Sequence, residues 1–149
     1  MAYRSIRAGR LHVVRWGTPV LADVDRIAYE VSLAFQEVGR PLICVAVISA
    51  DADPPSDEVR AAMSRNMPRL LAVTEHLHFV VEGQGFRHSV MRSVLTGFIL
   101  FGKERGRLSV HDDLQHLLGR LAWSLDRRPE DLVGELRKAG ILLDFAKAG

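Results

Sequence analysis

Two rhythms of apolar and polar positions run along this chain, and the switches between them divide it into elements. Val20, Val24, Ile27, Val31, Phe35 and Val38 recur at three-to-four spacing between Thr18-Pro19 and Gly39, which predicts a helix with its start and its stop. The run PLICVAVIS that follows is apolar and β-rich throughout, as expected of a central strand of a parallel sheet covered on both faces. Ahead of both, YRSIRAGRLHVVRWG splits at Ala8-Gly9 into two short runs, the pattern of a tight antiparallel hairpin.

The alternation continues downstream. Ser56, after Pro54-Pro55, is placed to cap a helix whose first turn carries Asp57 and Glu58, and that helix extends to about Val73 with Pro68 as an irregularity. LHFVVEG is the next strand, and the turn Gly83-Gln84-Gly85 opens a third helix from about Phe86 to Phe101, ended by Gly102. RLSVH reads as a short edge strand. Asp112 with Gln115 forms a capping-box-like start for a fourth helix, with Leu114, Leu117, Leu118, Leu121 and Leu125 on one face. Pro129 opens a last helix, Gly140 closes it, and the tail ILLDF is expected to pack back on the body. Strand, strand, helix, three strand-helix units and a terminal helix predict one α/β domain over residues 1–149. Its sheet is mostly parallel and four- or five-stranded, with an N-terminal hairpin, helices packed on it and right-handed crossovers.

Composition narrows the class. A chain of 149 residues, 48% hydrophobic and 26% charged, has the make-up of an ordinary globular domain, able to bury about two thirds of its unfolded surface. The longest apolar run, Leu42 to Ile48, is far short of the ~20 residues of a membrane span, and MAYRSIRAGR has no apolar segment of the signal-peptide kind. A single cysteine, Cys44, sits in strand core and cannot form an intramolecular disulfide, which fits a reducing cytoplasm. The expectation is a soluble cytoplasmic protein. Net charge is only +2, and the densest basic group, Arg4, Arg7, Arg10 and Arg15, is spread over the hairpin. With few aromatics, no stacking platform for nucleic acid is expected, and no membrane partner.

From Tyr3 to Leu125 the order of elements resembles the STAS domain of sulfate transporters and anti-sigma-factor antagonists. That resemblance implies a bacterial-type signalling role in which an antagonist docks on a kinase-like partner. It also implies a phosphorylated Ser where the central strand turns into the next helix, inside an Asp-Ser-Ser-Gly type stretch. Here the corresponding turn, SADADPPSDEV, lacks that stretch and leaves Ser56 alone at the helix start, where capping explains a serine without any modification.

Among candidate sites, Gly83-Gln84-Gly85 follows a strand and opens a helix, as a dinucleotide-binding turn does. The third glycine of that pattern is replaced by His88, and the next strand ends without the acidic residue that would hold a ribose. What is left is a helix N-terminus with Arg87 and His88 as cations, either a generic anion site or a plain turn. Asp51, Asp53 and Asp57 lie near the carboxyl end of the central strand, where open α/β sheets place ligands, as a cation-binding group or a solvated loop. Ser89, Ser93 and Gly97 form a small-residue stripe that packs on its own sheet or makes a homodimer seam. His76 and His78 share a strand face, and His111 and His116 flank a helix start, without completing a metal shell. No nucleophile stands beside a base, there is no phosphate-binding loop motif, and neither catalytic residue, metal nor cofactor is assigned. The reading is a non-enzymatic regulatory or scaffolding module that binds a protein partner through the loops 51–58 and 83–88. The alternative is a small α/β domain that holds a phosphorylated or carboxylate ligand at the Gly83-Gly85 helix start.

Overall fold

The structure is a computed structural model, described for residues 3–101 and 105–143, the side chains of 87, 98–101 and 105 excepted. The elements are β1 (Tyr3–Ala8), β2 (Leu11–Trp16), α1 (Leu21–Val38), β3 (Leu42–Ile48), α2 (Asp57–Ala72), β4 (Thr74–Val81), α3 (Phe86–Phe101), β5 (Leu108–His111), α4 (Leu114–Ser124) and α5 (Pro129–Lys138). The five strands lie in the order β1-β2-β3-β4-β5, antiparallel between β1 and β2 and parallel elsewhere. The fold is therefore the expected mostly parallel α/β sheet with an N-terminal hairpin, and PLICVAVIS supplies its middle strand.

Because each crossover moves one strand further in the same direction, right-handed connections put α1, α2 and α3 on one face of the sheet. Ile27, Val31, Leu71, Met91 and Leu95 of these helices pack there against Val14, Cys44, Leu77 and Phe79. Helices α4 and α5 cover the other face. There Leu117, Leu118, Leu132 and Leu136 meet Leu11, Val13, Val45 and Val80, and Ile141 and Leu142 fold back onto the same core. Leu143 is exposed, and Asp144 and Phe145 of the ILLDF tail lie outside the described residues, as does Gly102.

Several boundaries differ from the sequence expectation, each for a local reason. Helix α1 starts at Leu21, because the Thr18 hydroxyl instead accepts the Asp53 amide at 3.0 Å and holds the loop after β3. Pro68 sits inside an unbroken α2. Asp113, not Asp112, caps α4, accepting from the amides of Gln115 and His116 at 2.9 and 3.3 Å, while the Asp112 carboxylate pairs with Arg92. Strand β4 begins at Thr74, where a register shift opposite Leu42/Ile43 inserts one residue. That bulge lets Thr74 turn toward Cys44 on one face while His76 joins the opposite face.

One buried charge joins the carboxyl ends of three strands. Arg15, 6% exposed, donates to both Glu82 carboxylate oxygens at 2.5 and 2.7 Å, to the Ser49 hydroxyl at 3.0 Å and to the Ile141 carbonyl at 2.5 Å. The guanidinium thus spans β2, the end of β3, the end of β4 and the segment after α5, and its bidentate fork suits the carboxylate. Removing one member leaves the other charge buried and unpaired. Arg15→Met should therefore lower unfolding stability by about 3–5 kcal/mol in urea titrations, and the double variant Arg15→Met/Glu82→Leu should recover most of the loss.

Candidate functional site

The carboxyl-end rim is assembled from two loops that touch. After β3, the Ser49 amide donates to Trp16 O and the Ala52 amide to Ser49 O, so the chain turns tightly before running through Asp53 to Ser56. Ser56 accepts the Val59 amide at 3.2 Å and caps α2. After β4, the Glu82 amide donates to Ile48 O, and Gly83 takes a left-handed φ of 92° against Ala50. A side chain at Gly83 would be strained by that φ and would bring its Cβ within 3.0 Å of the Ala50 Cβ. Gly85, φ 88°, then hands the chain to α3.

Of the residues singled out from sequence, Asp51, Asp53, Ser56, Asp57, Gly83, Gln84 and Gly85 all lie exposed on this rim. Asp57 pairs with Arg60 one turn along α2. His88 is half-buried, and its Nε2 stands 3.4 Å from Asp112 Oδ1, beside the Arg92–Asp112 pair. The side chain of Arg87 lies outside the described residues. The small-residue stripe turns away from the sheet: Ser89 and Ser93 are exposed and Gly97 has open space around it, while Met91 and Leu95 make the sheet contact. The hairpin arginines are dispersed among carboxylates, with Arg7 on Glu37 at 2.6 Å, Arg10 on Glu75 and Arg15 on Glu82.

The rim carries one residue that sequence reasoning passed over. Phe86, the first residue of α3, is 85% exposed. The sequence marks it only as the start of a helix, and nothing local shows that its ring faces solvent. Two left-handed glycines just before it swing the helix start outward, and the core positions begin at Met91.

A second cluster lies on the α4/α5 face at the β4/β5 edge. The Ser109 hydroxyl is 3.0 Å from His76 Nε2, 2.9 Å from His78 Nδ1 and 3.0 Å from His111 Nε2, and the two nitrogens of His78 and His111 are themselves 3.0 Å apart. His76 and His78 stack, ring centroids 4.2 Å apart. These polar atoms satisfy one another. Among the described residues no set of three or more His, Cys, Asp or Glu side chains is arranged to hold a metal ion. Burial first, and then the neighbouring His76, His111 and Arg120, push His78 down to about 3, and burial likewise lowers His76 and His111. Cys44 goes the other way: burial pushes its thiol up to about 11, which leaves it a neutral core side chain with Thr74 3.5 Å away.

The chain is an α/β protein with a five-stranded sheet, and no helix among its described residues is long and apolar enough to cross a membrane. No family model, curated protein or solved structure matches it.

The histidine cluster sets a pH dependence. The unfolded chain takes up these protons near pH 6.5 and the folded chain only at lower pH, so unfolding binds protons in between. Stability is then full above about pH 6.5 and falls as pH drops below it. Urea midpoints should decline from pH 7.5 to pH 5.0, and His78→Gln should flatten that slope.

Proposed function

We propose that the chain is a non-enzymatic binding module whose protein partner docks on the carboxyl-end rim, across the loops 51–58 and 83–88. The observation that carries the reading is the outward placement of Phe86 beside a rim of carboxylates. A large aromatic kept in water costs solvation free energy, and aromatic anchors at the centre of polar surrounds are what interface hot spots are made of. Asp57 and Glu58 are exposed on the neighbouring helix start, and Asp51 and Asp53 on the loop before it. The partner that fits offers an apolar pocket for Phe86 with basic residues around it.

The STAS-like reading supports the same face. In the family that the element order resembles, antagonists dock on a kinase-like partner, and the observed order of a hairpin followed by helix-strand alternation is that of the resemblance. Ser56 caps α2 in its unmodified state, and a phosphoryl group there would sit at a helix N-terminus, where negative charge is favoured. A small phosphorylated or carboxylate ligand at the same helix start is the second reading, favoured by the two left-handed glycines that open α3.

Co-purification of the tagged protein from its native lysate, with wild type and Phe86→Ser in parallel, tests the docking reading. The expected result is a stoichiometric protein recovered with wild type and reduced at least tenfold with Phe86→Ser, which should fold normally because it alters a solvent-facing position. Recovery of that partner undiminished by Phe86→Ser and by Asp57→Lys/Glu58→Lys would overturn the reading. A bound small anion in the native mass of the purified chain would favour the second one.

A further inference from the structure

Three neighbouring strands and two helices leave a partly enclosed cavity of about 100 Å³ between them. Trp16 of β2, Ala46 of β3 and Phe79 of β4 belong to its floor, and Val31 of α1 with Met63 and Met67 of α2 close over it. Its wall is almost wholly carbon and sulfur. The Asn, Thr and His side chains that reach the wall are committed elsewhere. Asn66 donates to Asp25 at 2.8 Å and to the Ala62 carbonyl at 2.9 Å, and it accepts from Arg69 at 3.3 Å. Thr74 and Cys44 contact each other at 3.5 Å, and His12 turns its Nε2 toward Glu30, which lies outside the wall.

The shape and the give of this space decide what fits it. Strands stand about 4.8 Å apart, so a floor three strands wide spreads a volume of this size into a shallow slot. Protein interiors are packed as densely as organic crystals, and dry apolar cavities of about 150 Å³ take up benzene. The roof is firm under α1, where Val31 is buried, and yielding under α2, where Met63 and Met67 are half-buried. Methionine is unbranched and polarizable, so these two can swing aside to admit a ring without either helix moving. Their sulfurs also favour contact with an aromatic ring.

We propose that this cavity binds a small planar hydrocarbon of one ring, with toluene as its representative, held by apolar contact alone. Larger ligands need pockets of about 300–1,000 Å³, which excludes a long acyl chain or a fused-ring system. A polar substituent is selected against, because a hydroxyl brought against this wall gives up its water and receives no hydrogen bond in exchange. No residue of the loops 83–88 lines the cavity and none of the loop 51–58 does, so the site is separate from the docking of a protein partner on the rim.

Toluene and phenol share one ring and one number of heavy atoms, and the methionine methyls report directly on the site. In a protein labelled with ¹³C-methyl methionine, toluene should shift the Met63 and Met67 methyls saturably, with Kd on the order of 1 mM, as suits a ligand of so few atoms. Met91, outside the cavity wall, should move far less. Phenol should bind at least tenfold more weakly. Ala46→Leu puts a larger side chain into the floor and should abolish the toluene shifts at Met63 and Met67. Three results overturn the proposal: toluene leaves Met63 and Met67 in place, phenol binds the wild type as tightly as toluene or more tightly, or toluene binds Ala46→Leu as it binds the wild type. Should Ala46→Leu fail to fold, the wild-type comparison of the two compounds decides alone.

Discussion

A buried guanidinium governs the working end of this molecule. Hydrophobic burial accounts for two cores, one on each face of the sheet, yet apolar packing is non-directional and leaves the ends of the strands free to slide and fray. Arg15 adds direction. Its fork binds the Glu82 carboxylate at the end of β4, and its other donors bind Ser49 at the end of β3 and the carbonyl of Ile141 beyond α5. Four stretches of chain distant in sequence are held at one point, and the cost of burying the charge is offset only while every partner stays in place. Such a contact is a poor source of net stability and a good source of alignment.

The rim inherits that alignment. Glu82 and Ser49 immediately precede the two loops that meet at Gly83 and Ala50, so fixing these residues fixes the approach of one loop to the other. The Thr18 hydroxyl then secures the Asp53 amide. With the rim's backbone held from inside, Phe86 and the exposed carboxylates of α2 can be presented to a partner with little ordering left to do on binding. On the α4/α5 face, the edge cluster of His76, His78, Ser109 and His111 is neutral at physiological pH because its rings, His78 buried and His76 and His111 half-buried, lose solvation and crowd one another. The two faces thus differ in character: small apolar space under α1 and α2, a polar network under the other edge.

The elements were legible in the sequence because local chemistry writes them: the three-to-four spacing of α1, the unbroken apolar run of β3, and Ser56 as the cap of α2. What escaped was set by partners distant in sequence. Asp112 and Asp113 are equivalent as caps until Arg92, on another helix, takes the first. Thr18 reads as a helix start until the Asp53 loop claims its hydroxyl. Arg15 reads as one more hairpin arginine, since nothing local shows Glu82 waiting two strands away. His76 and His78 do share a face as their spacing requires, but their union with Ser109 and His111 depends on the pairing of β4 with β5 and on a bulge that no alternation pattern displays. Phe86 carried no signal of its own, because an apolar residue at a helix start does not show which way it faces.

Native-state hydrogen exchange on Arg15→Met tests the central claim, that this one side chain aligns the carboxyl-end rim. The amides of Ser49, Glu82 and Ile141 bond at the rim or beside it, whereas those of Leu42 and Ile43 bond to Val73 and Arg10 at the other end of the sheet. If the guanidinium is the organising contact, protection at Ser49, Glu82 and Ile141 falls at least tenfold further than at Leu42 and Ile43. An equal loss at both ends would mean that Arg15 adds only to global stability, and the account of the rim would fail.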